Sequence, residues 1–219
     1  MTLEGRRIST SQNWAIWVPD IIDRYEPDSI RYFLITNGPE KRDSDFSWRE
    51  FVNSHNSELL GAYGNLVHRT LAFIHRYFDA VVPYGKLDRK IETEMHGLFA
   101  STGTFIETGK LKEALDTVFE FVRFGNKFFD TEKPWETRQA DLDACGDTLY
   151  TCVQMIANLA VLLEPFLPFS SAKIKAWLHL QDHWVMQQVQ GGLRIPELLF
   201  RRLDKKVIEE ELHRLSAEG

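Results

Sequence analysis

Asn65 and Arg69 stand four residues apart in Ser57–Phe78, SELLGAYGNLVHRTLAFIHRYF, so on a helix they lie one turn above the other. An amide beside a guanidinium is a donor-rich pair that can read a base edge or a phosphate, and it is equally at home on a solvated helix face. A second candidate is Trp135, set directly after Pro134 in the polar stretch Asp130-Thr-Glu-Lys-Pro-Trp-Glu-Thr-Arg138. A proline at the first position of a helical turn fixes where the next side chain sits. An indole held there is a flat platform for an unstacked base, a contact worth about 1–3 kcal/mol. The alternative use of Trp135 is to plug the end of a helical bundle. The other tryptophans, Trp14, Trp17, Trp48, Trp177 and Trp184, are read as core packing. His55, His68 and His75 are read as surface or half-buried residues without catalytic partners.

The bulk numbers restrict what such a surface can bind. The chain has 219 residues, 43% hydrophobic and 12% aromatic, which is enough for a packed core and excludes a disordered chain. Its formal net charge of −6 argues against gripping a duplex by phosphate charge alone. A small site for unpaired bases survives that test, because stacking and hydrogen bonds carry its energy. Cys145 and Cys152, seven apart on a predicted helix, would lie about 10 Å from each other, too far for a disulfide. They are read as reduced core thiols. No Cys/His set has zinc spacing, so no metal ligand is assigned. There is no signal peptide and no run of eighteen apolar residues, and neither a membrane span nor export is expected.

The elements that must position these residues are nearly all helices. Residues 1–12, polar with Arg6 and Arg7 adjacent, read as a loop, and Asn13–Val18 as either a short strand or apolar packing before a turn. Helices are predicted from Pro19 or Asp20, with Ile21, Ile22 and Tyr25 on the apolar face, and over Asp28–Thr36, opened by Pro27, with Ile30, Phe33 and Leu34 inward and Gly38-Pro39 as the stop. Lys41–Phe46 is a charged connector with room for a short strand. Ser47 and Glu50 form a capping box for a long helix over Phe51–Phe78. Its buried stripe is Leu59, Leu60, Tyr63, Leu66, Val67, Leu71, Ile74 and Phe78. Further helices are predicted over Asp88–Thr108 (Ile91, Met95, Leu98, Phe99, Phe105 and Ile106 inward, Gly109 as the stop), Leu111–Phe129, Leu142–Leu163 and Ser171–Leu180. Asp130–Arg138 is assigned to a loop, His183–Gly192 to irregular structure, Ile195–Leu203 to an extended apolar segment, and Lys205–Leu215 to a closing amphipathic helix. Long helices with inward apolar stripes bury them most readily against one another, so the fold class is mainly α: a helix bundle over residues 47–219, preceded by a small α/β segment over residues 1–46.

Five segments, in order along the chain, carry a family resemblance. Asn65-Leu-Val-His-Arg69 followed by Lys133-Pro-Trp135 resembles the anticodon-binding domain of methionyl-tRNA synthetases. Glu26-Pro-Asp-Ser-Ile-Arg-Tyr-Phe33 resembles the helix that follows the signature loop in class I synthetases. Glu164-Pro-Phe-Leu-Pro168 resembles the helix end of their anticodon bundles, and Leu198-Leu-Phe-Arg-Arg-Leu203 a segment near the end of the methionyl enzyme. Arg7-Ile-Ser-Thr-Ser11 falls where the family has its Lys-Met-Ser-Lys-Ser loop, which stabilises ATP phosphates. The resemblance therefore implies catalytic-loop roles for Arg7, Ser9, Thr10 and Ser11. Thr10 replaces the second lysine and brings no charge, so Arg6 and Arg7 must supply it or adenylation is weakened.

What the resemblance implies is the tRNA-recognition portion of a methionine–tRNA ligase. Trp135 on its Pro134 corner would stack on the first base of the CAU anticodon of methionine tRNA, while Asn65 and Arg69 would bind base edges or phosphates. Nothing resembles the nucleotide-binding half, its His-x-Gly-His signature or a zinc knob, so the chain reads as a fragment that does not make adenylate by itself. It would hold no cofactor; ATP with Mg, and optionally zinc, belong to the parent enzyme, a cytoplasmic protein for which a homodimer is one arrangement. The partners expected are the tRNA and the missing catalytic domain. Two other readings stand beside this one: a helical protein-interaction module docking through its acidic end, Glu209–Glu218, and the anticodon domain of a cysteinyl or leucyl enzyme.

Overall fold

A computed structural model of the chain describes residues 1–40, 43–194 and 196–217. It comprises two compact units, Met1–Gly61 with Phe200–Gly219, and Ala62–Leu199. The expected division at residue 46 differs from this one, and the closing helix belongs with the first unit.

The first unit begins as a hairpin where the sequence reads as a loop. Strand β1 (Thr2–Leu3) pairs antiparallel with β2 (Arg6–Arg7) and parallel with β3 (Asp45–Phe46). Glu4 and Gly5 have φ of 49° and 73°, the left-handed pair that a tight two-residue turn requires. Asp45 Oδ1 ties the hairpin down by accepting from Thr2 Oγ1 and from the Gly5 amide at 2.9 Å. Glu4 then reaches the start of helix α3 (Trp48–Ser54), where its Oε1 accepts from the Trp48 amide at 2.7 Å. The capping predicted for Ser47 is thus supplied from the hairpin; Ser47 has the backbone of an N-cap but makes no side-chain cap bond. Lys41 and Arg42 of the predicted connector lie outside the described residues. Of residues 13–18, Trp14 and Ile16 pack against the core, and Trp14 Nε1 donates to the Leu3 carbonyl at 3.1 Å.

Helix α1 (Val18–Arg24) and helix α2 (Pro27–Asn37) each carry a proline in the first turn. In α2 the buried face holds Ser29, Ile30, Tyr32 and Phe33, whereas Leu34 is exposed, contrary to expectation, because about 100° of turn per residue carries it past that face. The core is aromatic. Phe33 meets Phe46 edge-on at 4.9 Å, and Trp48 meets Phe51 at 5.6 Å. Over it packs the last helix, Lys206–Ala217, against α3. Glu211 is only 2% exposed; it accepts from Tyr25 Oη at 2.6 Å, pairs with Arg24 Nε at 3.0 Å, and also takes Arg214. A carboxylate so placed ties this helix to its own unit, and burial together with Glu211 pushes the Tyr25 phenol well above its ordinary range.

After α3 the chain winds as a π-helix over His55–Gly64. His55, expected near the surface, is buried. Its Nε2 lies 2.7 Å from the Arg201 carbonyl, which can only accept, so Nε2 carries the proton and Nδ1 accepts from Ser29 Oγ at 2.8 Å. Next to it, the Asn56 amide pairs with both backbone groups of Leu203, at 2.9 and 3.0 Å. These contacts fix Arg201–Leu203, part of the segment predicted as extended, whose Ile195 lies outside the described residues.

The second unit holds α4 (Asn65–Tyr77), α5 (Arg89–Glu107), α6 (Leu111–Glu132), α7 (Pro134–Ala140), α8 (Leu142–Leu163) and α9 (Pro168–Leu178). Helix α8 packs against all five others. It is long and apolar enough to cross a membrane, yet 94% of its most apolar stretch is buried inside this unit, as a core helix must be. Its ends are well specified: Asp141 caps the Ala144 amide at 3.0 Å, and α9 starts at Pro168, ahead of the predicted Ser171, because proline suits a first helical position. Two buried amides on α8 hold the irregular 183–192 segment. Gln154 pairs with both backbone groups of Val189 at 2.8 and 2.9 Å, and Asn158 does the same for Gln187 at 2.9 and 3.0 Å. The stripe Leu59, Tyr63, Leu66, Val67, Leu71 and Ile74 is buried as predicted, with Leu60 and Phe78 half-buried. Phe99, Phe105 and Ile106 are likewise half-buried, and Thr102 takes the inner position. Trp17 and Trp184 are exposed, a correction to their assignment as core. Cys145 and Cys152 are free and buried.

Two outcomes follow from this packing. A Cβ on Gly146 of α8 would stand 2.8 Å from the Tyr84 carbonyl oxygen. Gly146→Ala should therefore lower the urea midpoint, overpacking costing about 1–3 kcal/mol against the ~1 kcal/mol that alanine gains as a helix former. Burial holds the His55 pKa below its ordinary 6.5. The unfolded chain then binds the extra proton first, so the His55 contribution is complete above about 6.5 and falls away as pH drops towards the folded value. Urea titrations between about pH 5 and 7.5 should show this slope, and His55→Gln should flatten it.

Candidate nucleic-acid interface

Asn65, Arg69, Phe73 and Tyr77 follow one another at four-residue steps and share a side of α4. Facing the first two on α6 are Asn126 and Asp130, at the same spacing, with Phe129 beside them. Asn126 sets the polarity of this seam. Its Nδ2 donates to the carbonyls of Ala62 at 3.0 Å and Val122 at 3.2 Å, which turns Oδ1 towards Asn65. Asn65 must then present Nδ2, at 3.0 Å, and its own Oδ1 is left as an acceptor on the exposed side.

Arg69 is held from two directions. Its Nη2 donates to Asp130 Oδ1, and its guanidinium carbon lies 4.0 Å from the centre of the Phe129 ring. Such a cation–π contact is worth about 0.5–2 kcal/mol. On Phe129 also leans Trp135, ring centres 6.1 Å apart and planes 33° from parallel. The guanidinium, phenyl and indole thus form a row, with Phe129 buried and Trp135 44% exposed.

The indole is aimed by a helix–helix corner where the sequence reads as a loop. Helix α6 runs on to Glu132, Lys133 takes a left-handed conformation with φ of 45°, and Pro134 begins α7. Pro134 is buried, and its carbonyl accepts from the Cys145 thiol at 3.5 Å; burial pushes that thiol pKa up. The structure therefore brings Asn65, Arg69, Pro134 and Trp135 to one site. His68 and His75 are exposed on α4 and, among the described residues, belong to no group of His, Cys, Asp or Glu that could hold a metal.

Arg7, Ser9, Thr10 and Ser11 lie in the first unit. Arg7 ends β2 and is exposed. Ser9 bridges to Trp14, with the Asn13 amide donating to the Thr10 carbonyl at 3.2 Å to close a turn, and the Ser9 and Ser11 hydroxyls lie 3.2 Å apart. Arg6 is occupied within this turn: it donates to Gln12 at 2.6 Å and lies 4.7 Å from the Trp14 ring centre. Among the described residues, the cation that this turn leaves uncommitted is accordingly Arg7. Among the described residues no group of three or more His, Cys, Asp or Glu is placed to hold a metal.

Asn126, Phe129 and Asp130 escape the sequence reading. Phe129 reads only as a core position of its helix, and the available signal was the pair Asn126 and Asp130 repeating the spacing of Asn65 and Arg69.

A helical bundle with these groups on one face has the stacking surface and hydrogen-bonding groups that unpaired bases can use. Residues 1–71 match the family model described as tRNA synthetases class I (M). Residues 80–218 match the anticodon binding domain of methionyl tRNA ligase, and the chain belongs to that family. It is 54% identical over 218 residues to methionine–tRNA ligase 1 of Alkaliphilus oremlandii and 53% identical over 218 residues to the methionine–tRNA ligase of Bacillus mycoides, in each case over 98% of this chain. The chain spans 40% of the length of these relatives. The fold is also that of a Mycobacterium tuberculosis methionyl-tRNA synthetase solved with methionyl-adenylate bound, with a TM-score of 0.83 and 22% identity over 91% of this chain and 42% of that one.

Asn126→Ala removes the group that orients Asn65 and leaves the Ala62 carbonyl without its donor. The expected loss is about 1–2 kcal/mol of stability, read from a chemical denaturation midpoint.

Proposed function

We propose that the second unit binds the anticodon loop of methionine tRNA, with Trp135 stacking on the first base of the CAU triplet. The observation that carries this reading is the row formed by Arg69, Phe129 and the half-exposed Trp135. Phe129 stiffens both neighbours, so the indole need not be ordered when a base arrives, which lowers the cost of binding. Asn65 offers an acceptor that suits the N4 amino group of a cytosine in first position. Arg69 binds a neighbouring edge or phosphate, in competition with Asp130.

In this reading residues 1–46 are the signature-loop and stem-contact segment of a full-length methionine–tRNA ligase, and residues 47–219 its anticodon bundle, acting in the cytoplasm. Arg7 and the hydroxyls of Ser9, Thr10 and Ser11 supply a cation and three donors suited to the phosphates of ATP, which with Mg forms the adenylate in such enzymes. Thr10 adds no charge, so Arg7 carries the electrostatic part. The rival reading, an acidic docking helix at the chain end, is disfavoured because Glu211 and Leu215 of that helix are buried in the first unit.

Filter binding with methionine tRNA transcripts differing only at the first anticodon base tests the proposal. The CAU transcript should bind more tightly, and Trp135→Ala and Arg69→Ala should each cost about 1–3 kcal/mol with the helical circular dichroism unchanged. Equal affinity of both variants and the wild-type chain would refute it.

A further inference from the structure

Resting on that reading, we infer that Arg76, Tyr77 and Arg138 form a clamp for the phosphates flanking the three bases read by the row. Tyr77 continues the α4 side that carries Arg69 and Phe73. Its ring centre is 4.7 Å from that of Phe73, which in turn lies 6.5 Å from Phe129, so the aromatic surface is continuous with the platform. It ends about 12 Å beyond Arg69, at about 1.5 Å per residue. Tyr77 is 40% exposed, and two guanidiniums converge on it: Arg138 with its carbon 4.3 Å from the ring centre, and Arg76 at 5.2 Å.

The charges decide what this arrangement is for. Arg69 is committed to Asp130, and Lys133 pairs with Glu136 at 3.2 Å. Arg76 and Arg138 have no carboxylate partner among the described residues. In a chain of net charge −6, two uncompensated guanidiniums on one ring form a local anion site within an otherwise repulsive field. Held against the phenol, each keeps its donor fork in place and can take a phosphate oxygen pair at little ordering cost. A phosphate carries no base identity, so this clamp contributes grip and register while discrimination stays with Trp135 and Asn65. Arg138 stands three residues after Trp135 on α7, so the same corner that aims the indole also positions the clamp.

The test uses the whole chain and two RNA hairpins, one with a CAU anticodon loop and one with that loop scrambled, their affinities measured by filter binding over a range of salt. Arg76→Gln and Arg138→Gln should each weaken both hairpins about two- to fivefold. Each should also reduce the slope of log affinity against log salt by about 0.7, the value of one released counterion on a single strand. The ratio of affinities for the two hairpins should not change, whereas Trp135→Ala should collapse that ratio and leave the slope. Unchanged slopes in both arginine variants, or a ratio that falls with them, would overturn the clamp. A wild-type ratio of one would sink the anticodon reading alone, with the slopes still deciding the clamp, and no binding of either hairpin by the wild-type chain would overturn both.

Discussion

Helix α8 carries so little polar surface that each of its flanks has to be covered, and this requirement organises the second unit. From Thr148 to Leu163 every residue of it is buried. Five helices satisfy that demand, but they leave a gap over which the 183–192 segment runs without a helix or sheet of its own. Peptide groups in such a segment cost free energy unless paired. Gln154 and Asn158 solve the problem from the core side, each offering a donor and an acceptor in the arrangement of a neighbouring strand. In the first unit Asn56 does the same for Leu203. An amide side chain serving as a substitute peptide is the recurring way in which this chain keeps irregular segments in place.

The face proposed for RNA uses that logic at the surface. Asn126 is committed to two helix carbonyls, and the commitment passes to Asn65, whose outward group becomes an acceptor. Arg69 and Trp135 are fixed through Phe129 without any hydrogen bond between them. The groups proposed to meet RNA are thus ordered by residues beneath, so that their flexibility is lost during folding instead of binding. On the proposed reading an acidic chain binds nucleic acid because rigidity and stacking replace a broad field of positive charge.

The helical register was legible because burial repeats with the turn of a helix. Leu66, Val67, Leu71 and Ile74, or Ile91, Met95 and Leu98, could be assigned from spacing alone. What could not be read depends on partners remote in the chain. His55 is buried through Ser29 and Arg201, and no local pattern marks either. The hairpin of Thr2–Leu3 and Arg6–Arg7 has strands too short to show alternation, and Glu4 caps a helix far along the sequence. At the candidate site, Asn65, Arg69 and Trp135 stand out by their chemistry, but Phe129, which joins two of them, looks like any other core aromatic. Leu34 shows the opposite error, an apolar residue near a buried face yet outside it.

The left-handed turn at Lys133 has an evolutionary corollary. A lysine tolerates φ of 45° less well than glycine would, and the Glu136 and Thr137 amides both return to its carbonyl, at 2.8 and 3.1 Å. The heading of α7, and with it the direction in which the indole faces, is therefore stored in one dihedral pair with no slack on either side. Point substitutions can retune the chemistry of this corner, but a change in its length by a single residue would swing the platform to another side of the bundle. Lineages that diverge here should do so by exchange of side chains and not by insertion.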